Sequence, residues 1–276
     1  MRSLLLALVL SASACGSARC PGIAPRPAQP RLFLWEATPP GGGAAITLFG
    51  TWHLAVADDV PAPAWRRFER ARRVILELPD PPPSWDPRPL RELPRGQSLQ
   101  AMIPADAWFD LRDALAEKVR EDVLRRVRPW FATSLLVSAA WPMHEAAIDQ
   151  VLHDRARSSG KKLDSLEEWQ EQLGAVDATV GVEDLLVAIR ERDEIRCRIA
   201  ADYAAYQAGN DDAMRPNLGE AKDALLVDDR TARWLTKLEK AQDGPFVAVG
   251  VSHLVGDKGL PALLQARGWR VVRVSR

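Results

Sequence analysis

The chain has 276 residues, 37 of them Lys or Arg and 37 Asp or Glu, so its formal net charge is zero, with a pI near 6.9. That balance gives no electrostatic pull toward nucleic acid or toward a membrane surface. Hydrophobic residues make up 47% of the sequence, enough for a real core, and the chain beyond its first segment fits one domain.

Met1-Arg2 is a short positive start, Leu4 to Leu10 is an apolar run, and Ser11-Ala12-Ser13-Ala14-Cys15 supplies small residues. This is the pattern of a secretory signal peptide, expected over residues 1–14. The apolar run falls far short of the ~20 residues that span a bilayer as a helix. Ser13-Ala14-Cys15 fits a lipoprotein box, the slightly preferred reading, while Ala12-Ser13-Ala14 equally fits ordinary signal cleavage. Either way the chain is expected to be exported to the cell envelope, as a periplasmic protein or as a lipoprotein whose only membrane link is lipid on Cys15. Residues 15–31, rich in Gly, Pro, Ala and Arg, read as a flexible tether. The three cysteines, Cys15, Cys20 and Cys197, have no CxxC spacing, so no thiolate metal site is supported. With Cys15 lipidated, Cys20 and Cys197 could pair in an oxidising compartment; the preferred reading is that Cys197 simply packs in a helix.

Residues 32–276 form the expected domain. The strand-like run Ile46-Thr47-Leu48-Phe49 opens the phrase completed by Gly50-Thr51-Trp52-His53-Leu54; a helical stretch follows over 64–72, then a β-rich run over 74–78 that carries Glu77. The proline-rich stretch 80–89 reads as a surface loop leading into a large helical insert over about 86–243. Within it, apolar residues at helical spacing predict a helix over 105–127, Pro129 a new helix start, and a further helix running to Arg157. Lys161 to Leu166 reads as a short strand, and 181–207 as one long, charge-dense helix with a solvated face. The chain then returns to Phe246-Val247-Ala248-Val249-Gly250-Val251-Ser252-His253-Leu254, a helix over 260–267 and a strand over 269–274.

The two phrases are copies. Each is an apolar strand, then Gly, two residues, His and Leu, and each is followed by loop, helix and strand. Two of only four histidines fall at the same place in them. Strand–helix–strand units of this kind favour parallel pairs with a right-handed crossover. The expected fold is therefore α/β, with a central sheet from two pseudo-symmetric terminal βαβ units and a large helical insert. Gly50 and Gly250 are expected to turn the backbone through φ > 0. His53 and His253 are then presented at the C-terminal edge of the strands, where open α/β sheets bind ligands. Trp52 reads as a wall of the same pocket or as packing against the adjacent helix.

Carrying these phrases, the chain resembles the TraB/GumN family, which is related to the TIKI metalloproteases. The resemblance rests on Gly50-Thr51-Trp52-His53-Leu54, on Glu77, and on Gly250-Val251-Ser252-His253-Leu254-Val255-Gly256-Asp257-Lys258-Gly259. Pro129-Trp130, Ile148-Asp149, Leu166-Glu167 with Gln172-Leu173, and Asp229-Arg230 resemble its middle motifs. Departures are Ala147 for the usual Gly, Glu168 for Thr and Thr231 for Asn. For the TIKI branch the resemblance implies a divalent-metal-dependent peptidase that uses the GxxH histidines and a Glu. Family position also promotes Asp149 and Glu167 as site residues.

The residues themselves allow the same chemistry. His53, His253 and Glu77 supply nitrogen and oxygen donors suited to a divalent metal. A Glu among apolar strand residues must be neutralised by a metal or by an arginine. Arg230 is a candidate for stabilising an oxyanion, or else a salt-bridge residue. His144 and His153 read as surface histidines of one helix. Met143-His144-Glu145-Ala146-Ala147-Ile148 has Ile148 where the zincin motif needs His, and Gly250-Val251-Ser252-His253-Leu254 lacks the last Gly of a nucleophile elbow. The expected function is a metal-dependent, metalloprotease-like hydrolase of a peptide or envelope-derived small substrate, with His53, Glu77, His253 and Arg230 as catalytic residues. The alternative is a non-catalytic envelope binding protein of the same fold.

Overall fold

The computed structural model describes Cys20 and residues 30–275, apart from 82, 83, 142 and 242. The expected signal peptide, Cys15 and most of the tether lie outside the described residues. A six-stranded mixed sheet organises the chain: β1 (Leu34–Thr38), β2 (Ile46–Thr51), β3 (Arg73–Leu76), β4 (Lys162–Ser165), β5 (Phe246–Gly250) and β6 (Arg270–Arg273), in the order β4-β3-β5-β2-β1-β6. The neighbours from β4 through β2 are parallel, while β1 is antiparallel to both β2 and β6. β5 is nearly pure apolar sequence, as a strand covered on both faces must be, and it takes a central place.

The two terminal units interlock. β5 sits between β2 and β3, and β2 and β1 separate β5 from β6. The parallel pairing expected within each unit is therefore not made. The first strands of the two units pair instead, with Thr51 opposite Gly250. β1 was not anticipated; it is joined to β2 by the turn at Pro39–Gly43 and lengthens the sheet on the far side. β4 comes from within the insert and pairs with β3.

The insert is helical, as expected, but broken more often. The 105–127 pattern is a helix at Ala105–Leu115 and a short one at Glu121–Leu124. The 181–207 pattern is two helices, Val182–Arg190 and Arg192–Ala208, meeting at Glu191. Both breaks leave the apolar stripes facing inward: Leu111, Leu115, Leu124, Leu185, Ile189, Ile195 and Ile199 share one core. A second core lies on the sheet, and Trp52 packs against both. Cys20 and Cys197 form a disulfide, with Cα atoms 4.9 Å apart. This corrects the expectation that Cys197 is merely packed, and it ties the N-terminal segment to the helix Arg192–Ala208.

Candidate functional site

β2, β3 and β5 run parallel, so their C-terminal ends share one edge of the sheet. β3 stops at Leu76, and Glu77 stands just beyond it rather than inside the strand. β2 runs on through Thr51, while β5 stops at Gly250 and winds into a 3-10 turn, Val251–His253. This difference separates the two histidines: the His53 side chain is 66% exposed, whereas His253 is 3% exposed.

The glycines of the repeat are not there for positive φ. Neither Gly50 nor Gly250 lies in the left-handed region. Close approach crowds a side chain instead, severely at Gly50 and more mildly at Gly250. A Cβ on Gly50 would lie 2.9 Å from Phe33 Cβ, and one on Gly250 would lie 3.2 Å from Glu77 Oε1. Gly250 thereby lets the Glu77 carboxylate reach its backbone N–H, which donates to Oε1 at 2.5 Å.

His53 is oriented by Asp149, at the start of the helix Ile148–Ser158. Its Nδ1–H donates to Asp149 Oδ2 at 2.8 Å, and Thr51 Oγ1 donates to Asp149 Oδ1 at 2.7 Å. The facing carboxylate raises the His53 imidazole to about 9. Burial works to raise the Asp149 carboxyl, but the His53 charge and the two hydrogen bonds outweigh it and hold the group below its ordinary range.

Glu77, Glu167 and Arg230 form a buried network. Arg230 and Glu167 are 5% and 2% exposed. Arg230 Nε donates to both Glu167 oxygens, at 3.1 and 3.0 Å, and Nη2 donates to Glu77 Oε2 at 3.0 Å and also to Glu167. Nη1 donates to the Leu226 carbonyl at 2.6 Å. Desolvation opposes the charge on Arg230, yet the two carboxylates outweigh it and raise its pKa. With all three nitrogens engaged, Arg230 acts in this structure as a holder of the Glu77 and Glu167 carboxylates. Glu167, read from sequence as an exposed helix-end carboxylate unless family position promotes it, is buried here.

A π-helical segment, Ala224–Asp228, leads into the helix Asp229–Glu239. Such wide turns leave carbonyls for side chains to use. Leu226 O takes Arg230, and Val227 O accepts Thr231 Oγ1 at 2.7 Å. Because the single Thr231 hydroxyl proton goes to Val227, its oxygen accepts from His253 Nδ1–H, 2.7 Å away. That fixes the neutral tautomer of His253 and leaves Nε2 with its lone pair. Burial holds His253 down at about 4, and its ring lies 4.3 Å from that of Trp234.

Beside this centre opens a cleft of about 440 Å³. His53, Glu77, Asp149, Leu76, Pro79 and Trp169 are among its walls, and His253 is not. The expectation that both imidazoles face one cleft is thus met by His53 alone, with His253 beneath. Trp52 is turned away from the cleft and stacks on Tyr203 at 5.4 Å. His144 is exposed and precedes the helix Ile148–Ser158 rather than lying on it. His153, expected at the surface, lines the cleft and pairs with Asp80 through Nε2 at 2.5 Å. Thr51, Thr231 and His153 are the participants that sequence reading missed. One signal for His153 was present, since Asp149, His153 and Arg157 recur at one helical turn and so share a face.

The fit to a divalent ion is divided. Both imidazoles have Nδ1 anchored and Nε2 left over, and an anchored partner nitrogen is usual for a metal-ligating histidine. Glu77, the third expected donor, has one oxygen on the Gly250 N–H and the other on Arg230. Among the described residues no three His, Cys, Asp or Glu side chains stand together so as to hold a metal. The anchored imidazoles suit a metal in kind, while the engaged Glu77 does not as it stands, so no step is derived through a metal.

Fold and site together define an α/β protein with a polar, charge-compensated centre at the C-terminal edge of its parallel strands, roofed by a helical insert. The chain belongs to the TraB/PrgY/gumN family, whose pattern it matches over residues 33–273. No curated protein and no solved structure matches it.

Proposed function

We propose that the chain is an exported hydrolase of a peptide or related amide, dependent on a divalent metal, with its active site at the cleft beside His53 and Glu77. The observation that carries this reading is convergence. His53, Glu77, Asp149, Glu167, Arg230 and His253 come from elements spread over some two hundred residues of sequence, and they meet at one sheet edge in three hydrogen-bonded groups: His53 with Asp149, Glu77 and Glu167 with Arg230, and His253 with Thr231. Perturbed titration in a cleft is a mark of functional sites. His53 and His253, through Nε2, are the residues that would hold the ion, with the Glu77 carboxylate as the third donor of the set. When bound, a metal supplies polarisation of the substrate carbonyl and a more acidic water. The chain's own residues do the rest. Asp149 holds His53 in one orientation, Thr231 holds His253 in one tautomer, and Arg230 with the Gly250 N–H holds the Glu77 carboxylate at the cleft.

Export is supported by the Cys20–Cys197 disulfide, a bond that persists in oxidising compartments. No helix among the described residues is long and apolar enough to cross a membrane; attachment through a lipid at Cys15 is part of the proposal. One observation favours the second reading, a binding protein without turnover: the Glu77–Arg230 pair already neutralises the charge a metal would neutralise. Calorimetric titration of chelator-stripped protein with Zn²⁺, Mn²⁺ and Co²⁺ separates the two. The hydrolase reading expects one site per chain, lost in His53→Ala and in His253→Ala. Absence of binding by the wild-type protein would leave the binding-protein reading in its place.

A further inference from the structure

The cleft beside His53 and Glu77 has two unlike walls. One comes from the helix Ile148–Ser158, which contributes Asp149, Gln150, His153, Asp154 and Arg157. The other is apolar, with Leu78, Pro79 and Trp169 as its main members. These three are half-buried rather than sealed, so each keeps surface that a bound molecule can cover.

The apolar wall stands at a fixed place relative to Glu77. The backbone N–H groups of Leu166 and Glu167 donate to the Glu77 carbonyl at 3.2 and 3.0 Å. Trp169 follows two residues later, at the start of the helix Trp169–Thr179. Its indole Nε1–H donates to the Pro79 carbonyl at 3.1 Å, and its ring packs on Trp85 with centroids 4.9 Å apart. With its one donor engaged, the indole offers the cleft only an apolar surface. A ring held this way loses little conformational entropy when a ligand covers it, and the gain comes from apolar area removed from water.

The polar wall favours a neutral occupant. Asp80 takes His153 and Arg157, Asp149 takes His53, and Asp154 takes the Gln150 amide at 2.8 Å. A charged side chain would compete with bonds already made, and against the apolar wall it would lose its own water without replacement.

We propose that Trp169, Leu78 and Pro79 form a specificity subsite, which takes a large apolar side chain of a peptide substrate next to the bond addressed by His53 and Glu77. This rests on the reading of the cleft as the substrate site, and it adds the class of side chain that the cleft selects.

The test uses four peptides, N-acetyl-Ala-X-Ala-amide with X as Ala, Leu, Asp or Lys. Binding to the full chain, held in chelator to prevent turnover, is followed by the His53 ring resonances, assigned with His53→Ala, and by the Trp169 indole N–H resonance, assigned with Trp169→Phe. The Leu peptide should shift both and bind about tenfold more tightly than the Ala peptide, with the Asp and Lys peptides no tighter than Ala. Trp169→Ala should bind the Leu and Ala peptides alike. Trp169→Phe, which keeps an apolar ring without the N–H, should retain the preference for Leu. Leu78→Ala, a smaller cut in the same wall, should weaken that preference, and it decides the matter if Trp169→Ala does not fold. Equal binding of the Leu and Ala peptides by the wild-type chain, a preference for Asp or Lys, or a Leu preference that survives Trp169→Ala would overturn the proposal. Peptides that shift His53 without favouring Leu refute the subsite and leave the cleft as the substrate site. Peptides that move neither resonance remove that reading and the subsite with it.

Discussion

His53 and His253 occupy matching phrases, yet their surroundings drive them in opposite directions. Asp149 favours the charged form of His53, and burial favours the neutral form of His253. For metal-free protein the signs follow from linkage. The folded value of His53 lies above the ordinary 6.5, near 9, so its stabilising contribution is complete below about 6.5 and lost as pH rises toward 9. The folded value of His253 lies below 6.5, near 4, so its contribution is present above about 6.5 and lost as pH falls toward 4. Urea unfolding in chelator should therefore give greatest stability near neutral pH. His253→Gln should flatten the acid side, worth on the order of 3 kcal/mol, and His53→Ala should flatten the alkaline side by less, because water screens an exposed pair. Thr231 is the second residue to probe. Thr231→Val leaves the buried His253 Nδ1–H without an acceptor and should lower stability by about 1–3 kcal/mol. Nitrogen chemical shifts of His253 should then show a mixed tautomer, whereas Thr231→Ser keeps the single one. A pure tautomer in Thr231→Val would contradict the role given to the hydroxyl.

At the scale of elements, the π-helical segment and the helix Asp229–Glu239 deliver Arg230 between two carboxylates. Removing one member of a buried charge network leaves the others uncompensated. Arg230→Met should destabilise by about 3–5 kcal/mol, while Arg230→Met combined with Glu77→Leu and Glu167→Leu should regain much of that loss, because no unpaired charge is left. Thermal unfolding of the single and triple variants decides this, and equal loss in both would contradict it. The disulfide acts on another element, the helix Arg192–Ala208. It closes a loop with a sequence separation of 177 residues, so Cys197→Ser should lower stability by about 2–5 kcal/mol, read as a fall in the urea midpoint.

Elements also show what could be read ahead of the structure. The ends of β2 and β5 were legible, because an apolar run followed by Gly-x-x-His is a local pattern. Their adjacency was legible only from the repetition of that pattern. The strand order was not, since pairing β5 between β2 and β3 is a non-local choice. β1 was hidden where Leu32-Phe33-Leu34-Trp35 adjoins the tether, although the glycines at 41–43 marked a hairpin turn. The breaks after Leu115 and at Glu191 escaped notice because the apolar spacing continues across both. The glycine argument found the right residues for the wrong reason: only the packed neighbours of Gly50 and Gly250 reveal close approach. For Glu77 a metal was preferred to an arginine as the neutralising partner; the fold brings Arg230 to it.

Taken whole, the molecule is a sheet core and an insert core that meet at Trp52, next in sequence to His53. The insert supplies Asp149, Glu167 and Arg230, and the terminal units supply His53, Glu77 and His253. Neither part holds a complete site alone. The central claim is that this joint centre hydrolyses amides with the help of its two repeated histidines. Incubation with a defined peptide library, with and without added divalent ions, and mass analysis of the products tests it most directly. The wild-type chain should cleave only when ions are present. His53→Ala and His253→Ala should each abolish cleavage, the double variant should be no worse than either, and His144→Ala should cleave like wild type. Cleavage at the wild-type rate by both single variants, or none by the wild-type chain, would contradict the account and leave a binding protein in its place.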